Sequence, residues 1–63
     1  MTFTDFAIAN ETYLKVLSEL LKEVDKLEED EEALKLGIYY AIVVVSTQRM
    51  ELLDNARNRG LIT

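Results

Sequence analysis

Cysteine, histidine and proline are absent from this chain of 63 residues, and glycine occurs only twice. Without cysteine the chain can form no disulfide and no thiolate metal site, and it has no thiol nucleophile. Without histidine it has no imidazole ligand, no imidazole general base and no imidazole pH switch. The lack of proline, with glycine only at positions 37 and 60, predicts long uninterrupted helices.

The uncharged stretch from Leu36 to Val45 is polar only at two tyrosine hydroxyls. A helix that is apolar on every side is normally buried on every side, and so short a chain can hardly bury one alone. Self-association is therefore the expected way to cover it. The stretch is about half as long as a membrane span requires, and the N-terminus does not resemble a secretory signal. These features predict a cytoplasmic protein.

The formal net charge of −5 is unevenly distributed. Residues 1–32 hold ten acids and three lysines, whereas residues 33–63 hold two acids, one lysine and three arginines. The acidic half argues against general nucleic-acid binding, because neutralising phosphates requires cations. Arg49, Arg57 and Arg59 could still contact phosphate, so an RNA-binding helical hairpin is kept as an alternative.

The first half of the chain has the seam pattern of a bundle helix, with apolar residues at alternating steps of three and four. Asn10 is the only polar member of this seam, and Ala7, Leu14 and Leu21 widen it to a three-position face. Asn10 either caps a helix that begins at Glu11 or lies inside one helix, where a buried Asn fixes register. The unbroken spacing favours the second interpretation. The seam consists of Phe3, Phe6, Asn10, Tyr13, Leu17, Leu20, Val24 and Leu27.

Five consecutive acids at positions 28–32 would repel one another inside a helix, so a turn is predicted there. Asp30 is expected to cap the second helix. A break at Gly37 is an alternative, and so is one continuous helix, because the seam spacing continues through Leu34 and Ile38. Ile42 to Val45 is mostly β-branched and would also suit a buried strand, although the flanking residues are helix formers.

Both helices have residues at their ends that are typical of helix caps. Thr2 or Thr4 can cap the first, while Arg57 and Gly60 suit the C-terminal end of the second. The sequence therefore predicts a single all-α domain, a hairpin with helix one over about 3–28, an acidic turn at 28–32 and helix two over about 33–59. Two hairpins are expected to pair as a four-helix bundle, with dimer and tetramer both open. The predicted oligomer interface contains Phe6, Asn10, Tyr13, Leu17, Leu20, Val24, Ile38, Ala41, Val44, Val45 and Leu52.

Two acidic tetrads, Glu29-x-x-Glu32 and Glu51-x-x-Asp54, resemble the Mg²⁺-binding motif of the all-α MazG-like nucleotide pyrophosphatases. In that family the two motifs sit on neighbouring helices and hold Mg²⁺ against a nucleoside triphosphate. The resemblance therefore implies these four carboxylates as metal ligands and Mg²⁺ as the cofactor, in keeping with its preference for hard oxygen ligands. In a hairpin with an acidic turn, Glu32 and Asp54 of one protomer lie roughly 30 Å apart, so only a neighbouring chain could join them.

The function that these features favour is a small non-catalytic interaction or regulatory protein. It is expected to act as a homo-oligomer, to bind a partner protein and to need no cofactor. The pyrophosphatase and the RNA-binding hairpin are the two alternatives. In an antiparallel dimer, Glu28 to Glu32 of one chain would lie beside Arg57 and Arg59 of the other, which favours that orientation.

Overall fold

The computed structural model describes all 63 residues, which form two long helices joined by a short turn. Helix α1 spans Phe3–Lys26, and helix α2 spans Glu32–Asn58 and packs back along α1. The molecule measures 46 × 15 × 15 Å. The predicted all-α hairpin is confirmed, with α1 ending two residues earlier than expected and α2 shifted by one. Gly37 and residues 38–46 lie inside α2, so the chain has neither the glycine break nor the strand.

A capping box begins α1. The Thr2 hydroxyl accepts a hydrogen bond from the Asp5 backbone N–H at 3.1 Å, and the Asp5 carboxylate accepts one from the Thr2 N–H at 3.3 Å. Two N–H groups that the first turn of a helix leaves without partners are thereby satisfied. Thr2 is thus the cap, and Thr4 lies inside the helix.

The turn between the helices is closed by a carboxylate other than the expected one. The expectation that Asp30 caps α2 is wrong, because Glu31 occupies the N-cap position and makes no side-chain capping bond. Its Oε2 instead accepts a hydrogen bond from the Glu28 backbone N–H at 2.9 Å. The acidic run therefore stabilises its own turn and leaves the first N–H groups of α2 without a side-chain cap.

The C-terminal end of α2 is a Schellman motif. The Leu61 N–H bonds to the Ala56 carbonyl at 2.9 Å, and the Gly60 N–H bonds to the Arg57 carbonyl at 3.0 Å. Gly60 has a φ of 73°, a left-handed conformation that side chains with a Cβ rarely adopt. The predicted helix stop at this glycine is confirmed.

The hairpin has almost no closed core. Only Phe6, 7% exposed, and Ala56, 0% exposed, are buried. Phe3, a predicted seam position, is 58% exposed. The other predicted seam and interface positions are half-buried, because a single opposing helix cannot cover them. They are Asn10, Tyr13, Leu17, Leu20, Val24 and Leu27 in the first half of the chain and Ile38, Ala41, Val44, Val45 and Leu52 in α2.

Candidate interaction surface

One side-chain hydrogen bond joins the two helices. The Arg49 Nε–H donates to Asn10 Oδ1 at 2.8 Å, in a partly buried position. Asn10 lies well inside α1, so it caps no helix and instead receives a charged donor from α2. The bond makes Asn10 level with Arg49 and fixes the register of the hairpin. Every other side-chain hydrogen bond in the molecule spans three or four residues within one segment.

The hairpin has two unlike sides. The two helices run in opposite directions. The residue immediately after each seam position therefore lies on the same side of the hairpin in both helices. On this side α1 contributes Leu14 and Leu21, and α2 contributes Tyr39, Ile42 and Leu53. We call it the apolar side, and these five side chains are exposed or half-buried.

The opposite side is acidic. The residues that precede a seam position by one include Asp5, Glu19 and Glu23 in α1 and Glu51 in α2. Glu19 pairs with the lysine three positions later at 3.4 Å, as does Glu23. These pairs are solvent-exposed and contribute little to stability. The acidic side also holds Val16 and Val44, and Glu11, Asp25 and Glu28 follow seam positions on the apolar side. The two sides therefore differ in degree, because the apolar side has more large apolar side chains and fewer carboxylates.

A second apolar surface lies on α2, away from α1. Leu36, Tyr40 and Val43 form this outer face at helical spacing, and Tyr40 is 72% exposed. The Leu36–Val45 stretch is therefore covered along one strip only, where α1 packs on it. The prediction that one short chain cannot bury this stretch by itself agrees with these exposures.

The total surface area gives the same result. The chain exposes 4725 Å², whereas a compact monomer of 7.2 kDa is expected to expose about 4,100 Å². The excess of roughly 600 Å² approaches the ~800 Å² that each partner buries in a standard protein interface. An isolated hairpin thus exposes an excess equal to about three-quarters of the area that one partner buries in a standard interface.

The two acidic tetrads lie at opposite ends of α2 within one chain. Glu29 lies in the turn and Glu32 begins the helix, whereas Glu51 and Asp54 lie in its last third. No three carboxylates come close enough to hold a metal ion. Asp54 instead pairs with Arg57 at 3.3 Å.

The three arginines have different surroundings. Arg49 is held at the helix contact by Asn10, and Arg57 is paired with Asp54. Arg59 follows the last residue of α2 and makes no ion pair. An RNA-binding surface would therefore depend on three arginines, and Arg49 and Arg57 already have side-chain partners within the chain.

Comparison of the chain with protein-family models, with curated proteins and with solved structures found no match. Neither helix contains an apolar segment of the length that a bilayer crossing requires. The function is therefore inferred from the surface of the hairpin. It presents a long apolar side, an apolar outer face on α2 and one half-buried guanidinium.

Proposed function

We propose that this protein is a non-catalytic helical interaction module that works as a homodimer. Two hairpins pack antiparallel through their apolar sides and form a four-helix bundle. The observation that carries the proposal is the apolar side itself, where Leu14, Leu21 and Tyr39 are exposed in a hairpin with only two buried residues. Packing a second copy there would supply the missing core, since apolar burial is the main driving force for association.

The charges at the two ends of α2 support an antiparallel arrangement. Glu32 begins α2 at the turn end, and Arg57 lies near its other end. In an antiparallel dimer these opposite charges meet twice, whereas a parallel dimer would place like charges side by side. Exposed pairs of this kind contribute little affinity but select orientation.

The dimer would present the outer face of α2 to a partner protein. Leu36 lies one turn after Glu32, and the acids Glu29 and Asp30 of the turn precede Glu32, so this face is apolar with an acidic end. Its complement is an amphipathic helix with an apolar stripe and basic residues at one end. A synthetic helix of that design should bind the dimer, and Tyr40→Glu should abolish its binding while the dimer persists. A helix with acidic ends is the matched probe that should not bind.

The experiment that tests the dimer compares two substitutions in α1. Leu14, 44% exposed, lies at the middle of the apolar side, whereas Ile8, 61% exposed, lies on the solvent face of the same helix. Leu14→Glu should convert the dimer to a monomer, because it places two carboxylates at the centre of the interface. Ile8→Glu should leave the dimer intact. Light scattering reports the mass, which should be twice 7.2 kDa for the wild type and for Ile8→Glu.

Two results would contradict the proposal. One is a wild-type mass of a single chain at hundreds of micromolar protein. The other is a dimer that survives Leu14→Glu but is lost with Ile8→Glu, which would place the interface on the opposite face of α1.

A further inference from the structure

Arg49 has more hydrogen-bonding capacity than the hairpin uses. A guanidinium has five N–H donors, and only Nε–H has a partner here, the Asn10 carbonyl oxygen. No ion pair involves Arg49. Position 49 lies on the apolar side, between Ile42 and Leu53 of the same helix, and the remaining four N–H groups have no hydrogen-bond partner in the hairpin. A second copy covering this side would have to provide something for that guanidinium to contact, since a buried charged donor without a partner is costly.

The register of the hairpin identifies which group of the second copy lies there. The Asn10–Arg49 bond makes positions 14 and 45 level, and these are close to the midpoints of the two helices. Arg49 lies four positions from that midpoint, about 6 Å at ~1.5 Å per residue. If two hairpins overlap along their full length, an antiparallel two-fold axis brings Arg49 opposite position 41 of the other α2. On the apolar side of that helix, Ile42 and Tyr39 lie one and two positions from this level, and Tyr39 is the aromatic one.

We infer that Arg49 of each copy stacks on the Tyr39 ring of the other, and that this pair of contacts sets the antiparallel dimer. The inference rests on the proposed dimer. The chemistry of the two groups is matched: a planar guanidinium is favoured over an aromatic face, and the phenolic oxygen can accept one of its N–H groups. Tyr39 is half exposed in the single hairpin and is free to receive it. Asn10 acts as the positioning residue, since its bond to Nε holds the guanidinium plane.

A double-mutant cycle on the dimer dissociation constant tests this contact. Arg49 and Tyr39 lie ten positions apart on one helix, about 15 Å, so the two side chains can be coupled only between copies. Arg49→Met and Tyr39→Leu should each weaken the dimer, and the double variant should be about tenfold tighter than additivity predicts, because two symmetry-related contacts are lost together. Tyr39→Phe should retain most of the coupling, which the ring supplies.

The matched control is Tyr40→Leu, which removes the neighbouring tyrosine about 100° around the helix. Arg49→Met combined with Tyr40→Leu should be additive. If Arg49→Met does not fold, Arg49→Lys completes the same cycle, because Lys lacks the planar group. Sedimentation equilibrium provides the dissociation constants.

The orientation can be tested separately, because the chain has no cysteine of its own. In the antiparallel dimer, Lys35 of one copy lies within about 3 Å, along the helix axis, of the level of Leu53 of the other. An oxidised mixture of Lys35→Cys and Leu53→Cys chains should therefore yield the mixed disulfide. A dominant Lys35→Cys homodimer would mean a parallel arrangement and would overturn the inference. A wild type without any dimer would refute the proposed function itself, whereas a dimer without coupling between Arg49 and Tyr39 would refute this inference alone.

Discussion

Removing the Asn10 side chain tests how much the single polar contact between the helices stabilises the hairpin. Asn10→Ala deletes the 2.8 Å hydrogen bond to Arg49. A bond to a charged group contributes about 1.5–3 kcal/mol, and partial exposure places this one near the lower value. Alanine has a higher helix propensity than asparagine, so the substitution also adds roughly 0.5 kcal/mol to the free energy of unfolding. The expected net loss is about 1 kcal/mol, or a fall in Tm of ~4–8 °C for a domain of this size.

The control is the same substitution at Asn55, an exposed position in α2 whose side chain makes no hydrogen bond. Asn55→Ala should be neutral or slightly stabilising, so the difference between the two variants isolates the bond to Arg49. Thermal and urea unfolding, followed by circular dichroism at fixed protomer concentration, measure both. Equal stabilities for Asn10→Ala and Asn55→Ala would refute the claim that this bond holds the helices in register. Asn10→Leu combined with Arg49→Met should be nearly neutral, since replacing both partners leaves neither unsatisfied.

Four further predictions concern the two glycines, the helix cap and Mg²⁺. Gly37→Ala should stabilise the protein by about 0.5–1 kcal/mol, since an added Cβ meets no atom within 4 Å in mid-helix. Gly60→Ala should destabilise it by about 1 kcal/mol because of its positive φ; the same sign for both glycine variants in thermal unfolding would contradict this. Thr2→Ala should cost about 1 kcal/mol by removing the capping box, and an unchanged Tm would count against that. Millimolar Mg²⁺ should leave Tm unchanged, whereas a rise would favour the pyrophosphatase alternative.

Local signals predicted the elements of the fold well. The three- and four-residue spacing in α1, the threonine cap and the stop at Gly60 each depend on neighbours within one or two turns, which a sequence displays directly. The acidic run predicted the turn for the same reason, through like-charge repulsion at helical spacing. The cap of α2 was missed because the choice between Asp30 and Glu31 depends on backbone angles inside the turn.

The contact between Asn10 and Arg49 could not be predicted from the sequence. The two residues are 39 positions apart, and their pairing depends on the length of the turn and the resulting register. Asn10 is the one polar seam position, which the sequence shows directly, but nothing in the sequence indicates its partner. The division into an apolar and an acidic side follows from the same register. Both features emerge only when the two helices are placed against each other.

The measurement that tests the central claim most directly is the mass of the native chain in solution across a wide range of concentrations. If the hairpin needs a second copy to cover its apolar side, sedimentation equilibrium should give twice 7.2 kDa at micromolar protein and above. Stability should also rise with protomer concentration, as it does for coupled folding and association. A folded single chain whose mass and Tm are both independent of concentration would contradict the account.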